Sequence, residues 1–291
     1  MIGPSSNNSV CGLSIVIPAC NEEDHIVRCL ESVLSQEDVG SAVLEVIVAA
    51  NNCSDATIPQ AHSLAECFAK RGWRLVVLDI LEGGKTNALN RGDAVASSLD
   101  RAYLDADIVL EPQIVCQTLA QLVRSEPVYV TGRLQISPAR SWISRRYGDF
   151  YARLPFLERK SAPGAGWFAV NAAGRARWGS FPQIISDDTY VRWLFRPEER
   201  IEVEASYSWP LVEGFRNLVR VRRRQDAGVR QLRALRPDLE INEGKANVHL
   251  IGHLQLLFKD PIGYLTYTSV QFAARFRDGD GDGSQWTRGR R

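Results

Sequence analysis

Between residues 13 and 134 the chain alternates short β-branched runs with longer stretches whose apolar residues recur at three- and four-residue spacing. No other feature constrains the fold as much, because successive βα units pair their strands in parallel and must cover both faces of the sheet with helices. Leu13, Ile15, Val16 and Ile17 make a buried-strand run closed by Pro18. Asn21 followed by Asp24 offers a cap for a helix carrying Ile26, Leu30, Val33 and Leu34. The same reading puts strands at 43–49, 75–78 and 102–104 and helices at 54–68, 85–99 and 112–123. Regular alternation ends past 128–134, and 141–157 reads as an aromatic helix. The expected fold class is α/β: a Rossmann-like, mostly parallel sheet with helices on both faces, plus a C-terminal helical extension.

With 291 residues and 45% apolar content the chain can bury one sizeable core and a small appendage. A net charge of +1 argues against a nucleic-acid partner, which normally requires a strong basic excess. The six cysteines include no C-x-x-C pair and read as reduced thiols. The polar N-terminus does not resemble a secretory signal, and no segment approaches the roughly 18 apolar residues of a membrane span. The expected location is cytoplasmic, or peripheral on the cytoplasmic face of a membrane.

In open α/β sheets ligands bind beyond the carboxyl ends of the strands. Those positions hold Asn21 and Glu22, then Asn51, Asn52 and Asp55, then Gly83, Gly84 and Lys85, then Asp105 and Asp107. Asp105-Ala106-Asp107 follows a strand directly, and hard oxygen ligands so spaced suit Mg²⁺ or Mn²⁺ bridging a diphosphate. Lys85 offers a cation to a phosphate, beside glycines that let backbone approach a ligand. Pro-Ala-Cys-Asn-Glu after Ile17 is not G-x-G-x-x-G, which excludes a dinucleotide oxidoreductase.

Further on, 163–170 reads as a glycine turn feeding a strand, and Asp187 and Asp188 open a helix. A carboxylate there can complement the helix dipole or accept a proton from an attacking hydroxyl. Two apolar stretches, 248–258 and 262–276, are each too short to cross a bilayer and suit amphipathic helices that pack on the main domain or lie in a membrane interface. The glycine-rich, charged stretch 278–291 is expected to be disordered, and its resemblance to a calcium loop fails because Gly289 stands where a bidentate glutamate is required.

Taken in order, these residues resemble the family 2 glycosyltransferases of GT-A fold, in particular the cellulose- and chitin-synthase-like branch without its membrane helices. Pro18-Ala19-Cys20-Asn21-Glu22 is similar to the opening P-x-x-N-E motif, Asn51 to Thr57 to the nucleoside-binding turn, Gly84 to Asn90 to the G-K-x-x-A-L-N loop, and Asp105-Ala106-Asp107 to the metal motif. The resemblance implies an inverting transfer of a hexosyl or N-acetylhexosaminyl group from a nucleotide sugar to an acceptor hydroxyl, with Mn²⁺ or Mg²⁺ held by Asp105 and Asp107. Pro18, Asn21, Glu22, Asn51, Asp55, Lys85, Asp105, Arg222 and Arg224 would bind the donor. Ser186-Asp187-Asp188 stands at the E-D motif, which makes Asp188 the base and Asp187 its neighbour in the catalytic pair, while Gly164, Ala165, Gly166 and Trp167 would lie near a saccharide or lipid-linked saccharide acceptor.

Two positions depart from the family pattern. Gln225 replaces the tryptophan associated with processive synthases, and Asn51 replaces an aspartate that pairs with uracil; an asparagine suits uridine first and leaves guanine and thymine open. The implied pathway is cell-envelope or exopolysaccharide synthesis. The implied division is a catalytic domain at 1–235, a helical extension at 236–276 that includes the membrane-interfacial candidate 248–276, and a tail at 277–291. Two rival readings are a sugar-phosphate nucleotidyltransferase, which lacks support because no basic glycine-rich loop follows the first strand, and a non-catalytic sugar-binding protein, which has no need of the four acids.

Overall fold

The computed structural model describes residues 12–37, 39–154, 157, 162–244 and 250–276. The expected tail at 277–291 and the N-terminal residues 1–10 lie outside them. Eight strands form one sheet: β1 (Gly12–Ala19), β2 (Val43–Asn51), β3 (Arg74–Ile80), β4 (Asp100–Leu104), β5 (Val109–Leu110), β6 (Tyr129–Ile136), β7 (Trp167–Val170) and β8 (Arg200–Trp209), in the order β3-β2-β1-β4-β7-β6-β8-β5. The pairs β1/β2, β1/β4, β2/β3 and β6/β8 are parallel, whereas β7 runs antiparallel to both β4 and β6. This is the expected mostly parallel α/β sheet, in which β7 and the short edge strand β5 alone run against the others.

Both faces of the sheet are covered, which is why the central strands read as continuous apolar runs. One face packs Leu13, Ile15 and Ile17 with Leu44, Val46 and Val48 against α1 (Ile26–Leu34), α2 (Thr57–His62), α3 (Ala65–Lys70) and α5 (Ile114–Leu122), through Leu30, Ala61, Phe68 and Ile114 among others. The other face packs Val16, Ile47, Tyr103 and Phe168 against α4 (Lys85–Val95) and α8 (Asp187–Trp193), with the short α7 (Ala172–Arg175) at the edge of β7. Gly92 lets α4 settle on the sheet, since a Cβ there would stand 2.4 Å from Val16 Cγ1.

Several expectations shift. The helix expected at 54–68 is split into α2 and α3 at Ser63 and Leu64, and α4 stops at Val95. Neither Asn21 nor Asp24 caps α1, whose N-cap His25 makes no side-chain cap bond. Asn21 sits instead at a left-handed φ of 56° with Oδ1 accepting from Ser54 N at 2.8 Å, so it ties the β1 and β2 loops together. The aromatic helix is α6 (Trp142–Tyr151), capped by Ser141 through Ser144 N.

The C-terminal helices are α9 (Phe215–Leu235), α10 (Leu250–Lys259) and α11 (Pro261–Phe276). Tyr267, Val270, Ala273 and Ala274 of α11 pack on Tyr147 and Tyr151 of α6 and on Leu218 and Val219 of α9. Asp260 fixes this corner, accepting from Gly263 N at 2.9 Å and pairing with Arg146 and Arg153. Several arginines of α9 are engaged in such contacts: Arg222 pairs with Asp226, Arg223 donates to the carbonyls of Ala273 and Ala274, and Arg233 pairs with Glu240. The outward face of α10 and α11 keeps Leu254, Phe258, Ile262, Leu265 and Phe272 exposed. No helix among the described residues is long and apolar enough to cross a membrane.

Candidate active site

The polar residues that follow β1, β2 and β4 gather at one rim, where α4 and α8 also begin. Gly84 (φ 121°) turns the chain into α4 so that Lys85 is its first residue. Lys85 Nζ lies 2.9 Å from Asp105 Oδ1 and 3.0 Å from Asp187 Oδ2, bridging the end of β4 to the start of α8. Burial alone would lower the lysine's pKa, but the carboxylates of Asp105, Asp187 and Asp188 outweigh it and raise the value, so the ammonium stays charged. Asp187 is only 5% exposed, and burial together with the charges of Asp188 and Asp105 pushes its pKa up against the pull of Lys85. Pro18, Leu89, Tyr103, Gly166 and Phe168 complete the lining of this cleft with Asp188; its enclosed volume of about 10 Å³ is room for one water. A bound donor must therefore displace the Lys85 bridge or add to it from the open side.

Asp188 differs from its neighbour. One oxygen accepts from Thr189 N at 2.6 Å and from Thr189 Oγ1, while Oδ2 makes no hydrogen bond to another described residue. The start of α8 is held from α9: Gln231 Oε1 accepts from Ile185 N at 3.0 Å, and Gly228 packs so closely that a Cβ would lie 2.1 Å from Ser186 Oγ.

The acceptor-side loop meets the same rim. Asp105 N donates to Gly166 O at 2.9 Å, and Gly164 and Gly166 hold φ values of 63° and 86° that favour glycine. Ala165 and Gly166 are half-buried, whereas Trp167 is fully buried in the core and its side chain faces no ligand surface. Asn51 Nδ2 donates to Glu82 O and Gly84 O, both at 2.9 Å, which orients the amide and leaves a buried Oδ1 without a hydrogen-bond partner among the described residues. The Asp55 carboxylate accepts from Glu23 N, Thr57 N and Thr57 Oγ1, and Thr57 Oγ1 in turn accepts from the backbone of Glu22, itself 1% exposed. Burial opposes these bonds to Asp55, yet its pKa is lowered, so this acid works as a latch between loops. Arg222 and Arg224 do not line the cleft. Sequence reasoning missed Leu89, Tyr103 and Phe168, whose core-like character hides that one edge of each meets the cleft.

Four carboxylates, Asp105, Asp107, Asp187 and Asp188, thus stand at this rim against the one ammonium of Lys85. Among the described residues no group of three side chains suited to a metal comes together. Two carboxylates on a short strand exit with surplus negative charge nonetheless fit Mg²⁺ or Mn²⁺, which usually take one or two carboxylates and complete their shell with substrate phosphates and water. A larger cavity of about 320 Å³ lies at the opposite, amino ends of β2 and β3, between Val39 and Val43 and beside Arg71 and Trp73, and contains no acid.

The model of glycosyl transferase family 2 matches residues 14–176, more than half of the chain, and ends just past β7. The chain belongs to this family. An uncharacterized glycosyltransferase of Escherichia coli (strain K12), YibD, is 25% identical over 190 residues, 64% of this chain and 48% of that protein, so the chain spans about half the length of that relative. The mannosyltransferase PcManGT from Pyrobaculum calidifontis, solved with GDP-Man and Mn²⁺, superposes with a TM-score of 0.55 at 17% identity, covering 92% of this chain and 76% of that one. S. aureus TarS 1–349, solved with UDP-GlcNAc, gives 0.53 at 12%, covering 91% and 76%. These likenesses establish the GT-A fold. The rim described above is where the sequence motifs of this family 2 chain converge.

Proposed function

We propose that the enzyme transfers a hexosyl or N-acetylhexosaminyl group from a UDP-sugar to a hydroxyl of a saccharide or lipid-linked saccharide, with inversion, in the building of cell-envelope or exported polysaccharide. The observation that carries the reading is the meeting of Asp105, Lys85, Asp187 and Asp188 in one cleft at the carboxyl ends of the strands. Asp188 Oδ2, which makes no hydrogen bond to another described residue, takes the proton as the acceptor oxygen bonds to the anomeric carbon and the bond from that carbon to the diphosphate breaks. Asp105 and Asp107 would hold a divalent cation, which would supply charge neutralisation at the diphosphate. Lys85 keeps Asp105 and Asp187 in register, and with Arg222 held by Asp226 and neither Arg222 nor Arg224 lining the cleft, Lys85 is the cation that faces the leaving group.

The base preference follows from Asn51. Its NH₂ is committed to two carbonyls, so only an acceptor oxygen remains, and that oxygen suits an imide N–H of uracil, thymine or guanine. Residues 1–235 are read as the catalytic unit and 236–276 as an extension whose exposed apolar face gives peripheral membrane contact. The test is nucleotide release from a panel of UDP-, GDP-, dTDP-, ADP- and CDP-sugars with Mn²⁺ and an acceptor mixture. Release of UDP is expected; release of ADP or CDP alone overturns the role of Asn51, and release from no donor overturns the transfer itself.

A further inference from the structure

A row of aromatic side chains leads away from the catalytic cleft toward the C-terminal helices. A methyl group placed on cleft-lining Gly166 would lie 3.5 Å from Cδ1 of Trp209, at the end of β8. The Trp209 ring stacks with Tyr151 of α6 at 6.4 Å between centroids and 29° between planes. Tyr151 continues to Tyr267 of α11 at 6.4 Å and to Tyr147 at 5.9 Å, and Tyr147 and Tyr267 close the triangle at 5.5 Å. Trp209, Tyr151 and Tyr267 are half-buried, so part of each ring stays open.

Packing alone does not account for the polar chemistry of this row. The hydroxyls of Tyr147, Tyr151 and Tyr267 make no hydrogen bond to another described residue, although the charges of Arg222 and Asp226 act on both Tyr147 and Tyr267. Arg222 and Asp226 are joined by two hydrogen bonds, at 2.7 and 3.2 Å, so the pair offers donor and acceptor atoms with no net charge. Burial pushes the Tyr151 hydroxyl up to about 12, so it stays protonated and able to donate. Partly exposed rings of Trp209, Tyr151 and Tyr267, three hydroxyls without a hydrogen bond among the described residues and a neutral Arg–Asp pair, all running from Gly166 of the cleft, match the amphipathic surface of a sugar ring, whose C–H face packs on aromatics while its edge seeks hydrogen bonds.

We propose that Trp209, Tyr151, Tyr147 and Tyr267, with the Arg222–Asp226 pair, form the acceptor subsite, and that it takes a neutral pyranoside. An anionic acceptor sugar would require an unpaired cation, and Arg222, whose charge acts on all three tyrosines, is paired with Asp226. The proposal rests on the transferase reading, with the nucleotide sugar on the Asp105 side of Asp188 and the acceptor on the Trp209 side. It gives the C-terminal helices a part in substrate choice, since Tyr267 comes from α11.

The test is saturation-transfer NMR on the full chain with Mn²⁺-free UDP present, using p-nitrophenyl β-glucoside, β-galactoside, β-N-acetylglucosaminide, α-mannoside and β-glucuronide as probes. Transfer to the ring protons of at least one neutral glycoside is expected. Its dissociation constant should rise about tenfold or more in Trp209→Leu and about three- to tenfold in Tyr267→Phe, which preserves shape and removes one hydroxyl. UDP affinity should hold, and Trp142→Leu, an exposed aromatic outside the row, should change neither. No transfer to any neutral glycoside, tighter binding of the glucuronide, or Tyr267→Phe and Trp209→Leu proteins that melt normally and bind like the parent each overturn the subsite. Glycoside binding that these variants weaken, in a protein that releases nucleotide from no donor, sinks the transferase chemistry and leaves the subsite standing.

Discussion

The rim of the sheet and the helical corner made by α6, α9 and α11 are held together by opposite means. At the rim, backbone and charge dominate: Asn51 and Asp55 clamp loops through amide and carboxylate bonds, and Lys85 spans two acids in a cleft with room for little else. The corner is a stack of tyrosines and a tryptophan, pinned by Asp260 with its two arginines and by the Arg222–Asp226 pair. The first arrangement is intolerant of any atom out of place, because removing one partner leaves another charge buried and uncompensated. The second can exchange a ring or a methyl group at modest cost. One region is thereby suited to an invariant diphosphate and the other to an acceptor that differs between enzymes.

The sharpest way to break this contrast is at the rim. Asp107→Ala should abolish transfer while the melting temperature stays within a few degrees, since the residue stands outside the core at the strand exit. Normal turnover of that variant in saturating Mn²⁺ and again after chelation would remove the cation from the reading. Next in size, Asp188→Asn should lower kcat by about 10²-fold or more with donor affinity little changed. Asp187→Asn should cost less in kcat and more in stability, because Lys85 then loses a buried partner. The reverse ranking would shift the base by one residue.

A smaller effect is expected where the two regions touch. Gly228→Ala drives a methyl into Ser186 Oγ just before Asp187, so kcat should fall about tenfold while the α9 helix, favoured by alanine, holds or gains stability. Unchanged kcat with a lowered melting temperature would mean that α9 merely packs there. The smallest effect concerns the outer face of the corner. Binding to anionic vesicles through Leu254, Phe258, Ile262, Leu265 and Phe272 should appear in low salt and weaken as salt rises, with the Phe258→Ser, Leu265→Ser double variant released first. Full-chain protein that stays in the supernatant at low salt rules that contact out.

The two regions also differ in how far the sequence reveals them. The rim was legible because each cluster follows an apolar run and the order of clusters is itself informative: β1, β2, β3 and β4 appeared with Asn21, Asn51, Lys85, and then Asp105 and Asp107 after them in that order. Yet the partner of Lys85 was not, since Asp187 lies far along the chain and only the packing of α8 beside α4 brings them together. Strand β8 went unread although Ile201, Val203, Ala205, Tyr207 and Trp209 alternate with more polar residues, a period-two signal obscured by its charged start. The aromatic row had no local signature. Tyr151, Trp209 and Tyr267 come from three elements, each of which reads as ordinary core, and the arginines of α9 looked like a solvated face because the carbonyls and acids that engage them are set by tertiary structure.

The reversed strand β7 carries a consequence for how such an enzyme can change. Because Asp105 and Gly166 share a backbone bond across β4 and β7, the nucleotide half and the half that begins with β7 meet at a fixed seam. A chimaera that keeps residues up to α5 and takes the rest from another enzyme of the family inherits that seam intact, provided Gly166 is retained. New acceptors can then be sampled without rebuilding the phosphate machinery, so the molecule behaves as a constant handle with an interchangeable head.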